Sequence, residues 1–360
     1  MIPQAYTEFQ PLKEIIVGKS WSSKYINNLK QISETNKRLL TSLLDETEED
    51  YQKLISILTE YGAKVLRPDY SYSDPDKIYD YPALMSPRDW SIVLDNDLIL
   101  GNPGTFTTQQ FALGIAEHAE YFKRPVQLLG FNPASIIRLG KDIIVDIQQY
   151  SNTETHHKYI KDTYEPRGFK VHGIKTHNTK FKNPMSHADA TFAILKPGVI
   201  LTTQHAREEN EGLFKGWDVH VIEITKEQKA FNRGWIDYKT KRTNEGVKII
   251  ELSNGYKQNW STNFDFEHPQ YDDKKFHEYI DNWLSNWLGY SSETVFDVNC
   301  LVLDESHVVF CSYNKGVFDF CKKHKIEPIL CDWRHRYFWD GGLHCITVDT
   351  VREGACEQYL

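Results

Sequence analysis

The sequence predicts an α/β fold: five ββαβ units set radially in a pseudo-symmetric ring that the two ends of the chain close. Three observations predict it. An apolar strand, a tight polar turn and a second apolar strand recur at 91–94 with 98–101, 135–139 with 143–145, 191–195 with 199–201, and 299–303 with 307–310. Each pair is followed by a helix-like stretch and a further strand. The parts of a fifth unit stand at opposite ends of the chain.

Taken in order, unit one continues with helix 116–122 and strand 125–129, and unit two with helix 155–164 and strand 168–172. Unit three continues with helix 211–215 and strand 219–223, and unit four with helix 317–323 and strand 327–330. The fifth unit takes its first strand from 345–351, then strand 14–18, helix 48–61 and strand 63–66. That helix would start at Asp45-Glu46-Thr47-Glu48-Glu49-Asp50, with acids at its positive end, and stop before Gly62. Repeats of this period suggest a radial architecture, and joining first and last elements leaves no free sheet edge. Residues 226–290 break the rhythm and read as an insertion decorating one face. No low-complexity linker divides the chain, so 1–360 reads as one domain.

The chain has 360 residues and a formal net charge of -8. No basic field exists to hold a nucleic-acid backbone, which sets nucleic acid aside. No apolar run approaches the ~18–20 residues of a membrane span, so no membrane partner is expected. The N-terminus carries neither a signal peptide nor a transit segment. Six cysteines all lie from Cys300 onward and none makes a CxxC, so reduced thiols in a cytoplasm are expected.

Residues that could carry chemistry fall at equivalent places in the units. Pro87-Arg88-Asp89 precedes the first strand of unit one, Phe131-Asn132-Pro133-Ala134 that of unit two, and His187 with Asp189 that of unit three. His344 and Cys345 open the first strand of unit five, behind Gly341-Gly342. In a ring of like units, equivalent strand ends face one mouth of the central channel, which brings these residues together. A thiol, a general acid/base and an anionic clamp are the parts needed to attack a cationic carbon. Singly, each signal is more often structural; their shared position in the repeats favours function. On a strand, His344 would point away from the thiol of Cys345. Cys300, Cys311, Cys321, Cys331 and Cys356 read as ordinary core or surface residues. His156 and His157 are adjacent on a helix and cannot face one ion, so no metal is expected. No Gly-rich phosphate loop precedes a helix, so no cofactor is expected either.

Three stretches resemble the signatures of the arginine:glycine amidinotransferase family: Pro87-Arg88-Asp89, Ser186-His187-Ala188-Asp189-Ala190-Thr191-Phe192 and Gly341-Gly342-Leu343-His344-Cys345. The segment 131–142 resembles the family stretch between the first two. The resemblance extends to the wider superfamily of guanidino-modifying enzymes, which includes arginine deiminases, and implies a five-bladed α/β propeller. It implies that Cys345 attacks the guanidino carbon of a donor such as arginine, that ornithine leaves, and that an acceptor amine then takes the amidino group from sulfur. It implies His187 as general acid and base, and Asp89 with Asp189 as the grip on the guanidinium. Arg207 falls near a family arginine that binds the donor carboxylate, and Ser291 with Ser292 resembles a serine pair lining that pocket. The expected partners are small molecules, a guanidino donor and an amine acceptor, with a homodimer as the one assembly in view.

Two departures matter. The family usually reads Phe-Asp-Ala-Ala-Asp where this chain reads Phe131-Asn132-Pro133-Ala134-Ser135. Asn132 could orient His187 but could not stabilise its imidazolium by charge. Ser186 stands where vertebrate-like enzymes place methionine, so donor or acceptor need not be arginine or glycine. Two other readings stay open: a hydrolase of the same fold, and a guanidino-binding protein without turnover.

Overall fold

The computed structural model describes residues 2–20, 34–69, 85–101, 111–112, 114–115, 127–129, 133–147, 153–175, 187–203, 212–222, 296–339 and 341–360. The chain opens with β1 (Leu12–Val17), α1 (Glu34–Tyr61) and β2 (Lys64–Leu66). The next sheet holds β3 (Ser91–Leu94), β4 (Asp97–Gly101) and β5 (Gln127–Leu129). Then come β6 (Ile136–Leu139), β7 (Asp142–Asp146), α2 (Thr153–Tyr164) and β8 (Lys170–Ile174). They are followed by β9 (Phe192–Lys196), β10 (Val199–Thr202) and β11 (Asp218–Val221). The last part holds β12 (Leu301–Asp304), β13 (His307–Phe310), α3 (Lys315–Lys323), β14 (Glu327–Leu330) and β15 (Thr347–Arg352).

Among the described residues these strands form five three-stranded sheets. In each, an antiparallel pair, a hairpin in four of the five, gains a third strand parallel to the central one. A parallel neighbour cannot be reached by a tight turn, which is why a helix such as α2 or α3 lies between the second and third strands. The fifth sheet joins the two ends of the chain: β15 pairs antiparallel with β1, and β1 pairs parallel with β2.

Two helices differ from the sequence reading. The helix α1 begins by Glu34, so the acids at 45–50 lie inside it rather than at its start. They serve tertiary contacts instead: Asp50 accepts from the backbone and the side chain of Arg334, each at 2.9 Å, and Glu46 meets His335 at 2.6 Å. Residues 212–216 form turns rather than a helix. Glycines bracket that stretch, and Gly216 takes a left-handed φ of 87° that ends any helical run. The expected helix at 116–122 and the insertion at 226–290 lie outside the described residues.

Apolar cores join neighbouring sheets. Leu44, Tyr51, Leu54 and Leu58, one stripe of α1, pack with Leu12 and Ile15 of β1 and with Leu301 and Leu303 of β12. Ile16, Val348 and Val93 bring β1, β15 and β3 together. Ile92 and Ile99 meet Ile136 and Ile143, linking the second sheet to the third. Ile137, Ile194, Leu201, Val302 and Phe310 share a core that spans three sheets and takes in the buried face of α3. Asn314 caps α3, its side chain accepting from the backbone of Gly316 and Val317.

Charge is buried as well. Asp349 on β15 accepts from Arg88 and Arg138, each at 2.5 Å, and from Arg352. Arg138 also clasps Glu8 through two nitrogens, at 2.9 and 2.7 Å. Their neighbouring guanidiniums hold the carboxyls of Asp349 and Glu8 below the usual carboxylate range, against the upward push of burial. Because an uncompensated buried charge costs far more than a paired one, Asp349→Ala should lower unfolding free energy by about 3–5 kcal/mol. Urea denaturation compared with wild type would measure it.

Candidate active site

The sheets present their first strands behind short turns. Pro87–Asp89, Pro133–Ser135 and Ala188–Ala190 are each one turn of 3-10 helix placed just before β3, β6 and β9. The turn at 87–89 packs on that at 133–135, which packs on that at 188–190. The turn at 87–89 also meets β15. Asp89 and Asp189 are thereby carried to neighbouring ends of different sheets, as their position in the repeats predicts.

Cys345 does not sit on a strand. Residues 343–346 form a turn, held by Ile346 N–H donating to Gly342 O at 3.3 Å and Thr347 Oγ1 donating to Leu343 O at 2.8 Å. The strand starts two residues later than the sequence suggests, so His344 and Cys345 do not alternate faces. Both reach Asp189. The Cys345 thiol donates to Asp189 Oδ2 at 3.5 Å, and His344 Nδ1 lies 2.7 Å from the same oxygen. The other ring nitrogen of His344 lies 3.4 Å from Glu8. The expectation that His344 faces away is thus corrected by the local turn.

Electrostatics follow from these contacts. Asp189 is 2% exposed, and burial pushes its carboxyl up. The hydrogen bond and charge of His344, with the charges of His187 and Arg88, outweigh that push and leave it below its ordinary value. Burial and Arg88 oppose the protonated form of His344, while Asp189 and Glu8 favour it; the net direction is upward. Asp189 Oδ1 is buried and takes no hydrogen bond among the described residues. His187 Nδ1 lies 3.4 Å from Asp89 Oδ1, and Asp89 is half-buried.

The other thiols are in different surroundings. Burial pushes Cys311, Cys321 and Cys331 up to about 12. It also raises Cys300 well above the ordinary thiol value, and Cys356 less far. A raised value favours the neutral thiol over the attacking thiolate.

One residue of the site escaped the sequence reading. Asn299, fully buried just before β12, donates from Nδ2 to Cys345 Sγ at 2.9 Å. Its Oδ1 accepts from the backbone N–H of Cys345 at 3.0 Å. A signal was available: Asn299 stands just before the first paired strand of unit four, as Asp89 does in unit one. Of the sequence-predicted site residues, Cys345, His187, Asp89 and Asp189 are described; Asn132, Ser186, Arg207, Ser291 and Ser292 lie outside the described residues. Among the described residues, no group of three or more His, Cys, Asp and Glu side chains could hold a metal ion, and no helix is long and apolar enough to cross a membrane.

Comparison with known proteins adds relatives. No protein-family model matches the chain. It is 27% identical over 233 residues to the L-arginine:L-lysine amidinotransferase of Pseudomonas savastanoi pv. phaseolicola, a match covering 64% of this chain and 46% of that protein. The chain thus spans less than half the length of that relative. Among solved structures it is similar to an amidinotransferase from Microseira wollei in the saxitoxin biosynthetic pathway, with TM-score 0.63, 17% identity and 100% of each chain covered. It is equally similar to the inosamine-phosphate amidinotransferase of Streptomyces griseus, with TM-score 0.63, 18% identity and 99% of each chain covered. At such identities the two structures establish a shared α/β fold.

The pKa directions fix how stability varies with pH. His344 is raised, so its contribution is full below its ordinary value of 6.5 and is lost as pH rises through its folded value. Glu8, Asp189 and Asp349 are lowered, so theirs is full above 4.5 or 3.8 and is lost as pH falls through their folded values. Melting temperature should therefore fall on both limbs, and His344→Gln should flatten the alkaline limb above pH 6.5 and reduce the share of the acid limb that Asp189 and Glu8 owe to His344, leaving the share that Asp349 owes to its arginines.

Proposed function

We propose that the chain is an amidinotransferase, moving an amidino group from a guanidino donor, with L-arginine as the leading candidate, to an acceptor amine. The observation that carries this reading is the placement of Cys345 Sγ against the buried Asp189 carboxylate, on turns that the sheets bring together. A guanidinium is a planar cation with several N–H donors, and the unbonded Asp189 Oδ1 would accept one of them. Asp89, on the neighbouring turn, would supply the second carboxylate.

In the first half-reaction the Cys345 thiolate attacks the guanidino carbon. A carbon–sulfur bond forms, the bond to the donor's alkyl nitrogen breaks, and His187 gives that nitrogen a proton so that the amine, ornithine in the case of arginine, departs. In the second, His187 takes a proton from the acceptor amine, which attacks the amidino carbon and releases sulfur as thiolate. Asn132 would orient His187, Arg207 would bind the donor carboxylate, and Ser186, Ser291 and Ser292 would line the substrate pocket. The relative's name points to lysine as one acceptor to test beside glycine. We further read the five sheets as the blades of one closed propeller, a single catalytic domain in a reducing cytoplasm, working without cofactor.

Guanidino-carbon-labelled arginine offered with lysine, glycine and other amines would test this, with products followed by mass spectrometry. Transfer predicts ornithine and a labelled amidino product, abolished by Cys345→Ser and slowed about 10²–10⁴-fold by His187→Gln. Labelled citrulline with no amidinated amine would sink transfer in favour of hydrolysis.

A further inference from the structure

The side-chain amide of Asn299 touches Cys345 at two points. Its oxygen accepts the backbone N–H of Cys345, and its nitrogen donates to the sulfur while also donating to Asp189 O at 3.3 Å. Only one orientation of an amide satisfies this set. The Cys345 N–H needs an acceptor, so the oxygen must face it, and the NH2 group must then face sulfur and the Asp189 carbonyl. The backbone is built around this contact. A Cβ on Gly342 would stand 2.6 Å from Asn299 O and 2.8 Å from its Cβ, so any larger residue at 342 would drive Asn299 away. His344 N–H donates to Asn299 O at 3.3 Å, which ties the cysteine turn to the same residue.

An N–H donor 2.9 Å from sulfur favours the charged form of that sulfur, because it stabilises thiolate more than thiol. We propose that Asn299 prepares Cys345 for attack: its amide fixes the cysteine backbone, aims the sulfur and holds it as the thiolate. This rests on Cys345 being the nucleophile. Asp189 faces the sulfur from the 188–190 turn, with His344 on the cysteine's own turn behind that carboxylate, and Arg88 and His187 act on Asp189 through charge. Asp189 by itself opposes a second negative charge, so the Asn299 donor offsets it at the sulfur.

Iodoacetamide alkylation of the whole protein, resolved by site with mass spectrometry across pH 5–10, tests this in wild type, Asn299→Ala and Asn299→Asp. Wild-type Cys345 should react with a midpoint below the ordinary thiol value of about 8.5. Asn299→Ala should raise that midpoint by about one pH unit, a tenfold loss of rate at neutral pH, with the rate recovered at high pH. Asn299→Asp keeps the acceptor for the Cys345 N–H but turns a carboxylate toward sulfur, and should raise it further. Protection of Cys300, Cys311 and Cys321 from label reports that each variant is folded.

A midpoint unmoved in folded variants, with only the plateau rate lowered, would make Asn299 a structural prop and overturn the proposal. Unfolding of both variants would assign Asn299 to folding and overturn it too. If wild-type Cys345 itself alkylates as an ordinary thiol, the proposal falls, while the nucleophile reading is judged separately by whether Cys345→Ser abolishes transfer. A low wild-type midpoint left unchanged removes the role of Asn299 alone.

Discussion

The carboxylate of Asp349 is the constraint on which the interior is built. It holds three guanidiniums, from Arg88, Arg138 and Arg352, in a region where none of the four side chains sees solvent. Three cations cannot be packed dry without nearby anions, because desolvation alone costs several kcal/mol per ion. The groups come from separated parts of the chain: Glu8 before β1, Arg88 before β3, Arg138 on β6, and Asp349 with Arg352 on β15. Satisfying them requires the last strand to lie beside the first, the pairing seen between β15 and β1. Buried ion pairs contribute little net stability, but a mispaired one is costly, so this cluster penalises other arrangements of the sheets.

The cluster also sets the site. Arg88 belongs to the turn that carries Asp89, its backbone N–H donates to the carbonyl of Cys345, and its charge bears on Asp189 and His344. Glu8, clasped by Arg138, meets the ring of His344 from the side opposite Asp189. Glu8, Asp189 and Asp349 face Arg88, Arg138 and Arg352, so these six buried groups offset one another in charge.

The sheets were legible because short apolar runs split by polar turns leave a strong local pattern, and the split fifth unit followed from counting what was missing. Cys345 and His187 were legible as candidate site residues only through position within the repeats and through resemblance. The buried arginines were not legible, since Arg138 in a run such as Ile136-Ile137-Arg138-Leu139 looks like one polar residue on the solvent side of a strand. Burial of such a residue depends on partners such as Asp349, 211 positions away. The face of His344 was misjudged because turn hydrogen bonds at 342–347 outweighed the β-like composition of that stretch. The start of α1 was misjudged because acids at 45–50 suit a helix start as well as a helix flank that binds Arg334.

An asparagine suits the place beside the sulfur better than a charged donor would. A lysine or arginine would stabilise a thiolate more strongly, yet it would stand against the guanidinium cation proposed to bind next to Asp189. A serine hydroxyl could donate to sulfur but could not at the same time offer a rigid acceptor to the cysteine backbone. The amide does both and does not titrate, so its hold on Cys345 is the same at every pH at which the chain is folded. Gly342 is the backbone counterpart of that choice, since the contact exists only where no side chain intervenes. The Cys345 sulfur is thus met by a neutral residue of the fourth unit.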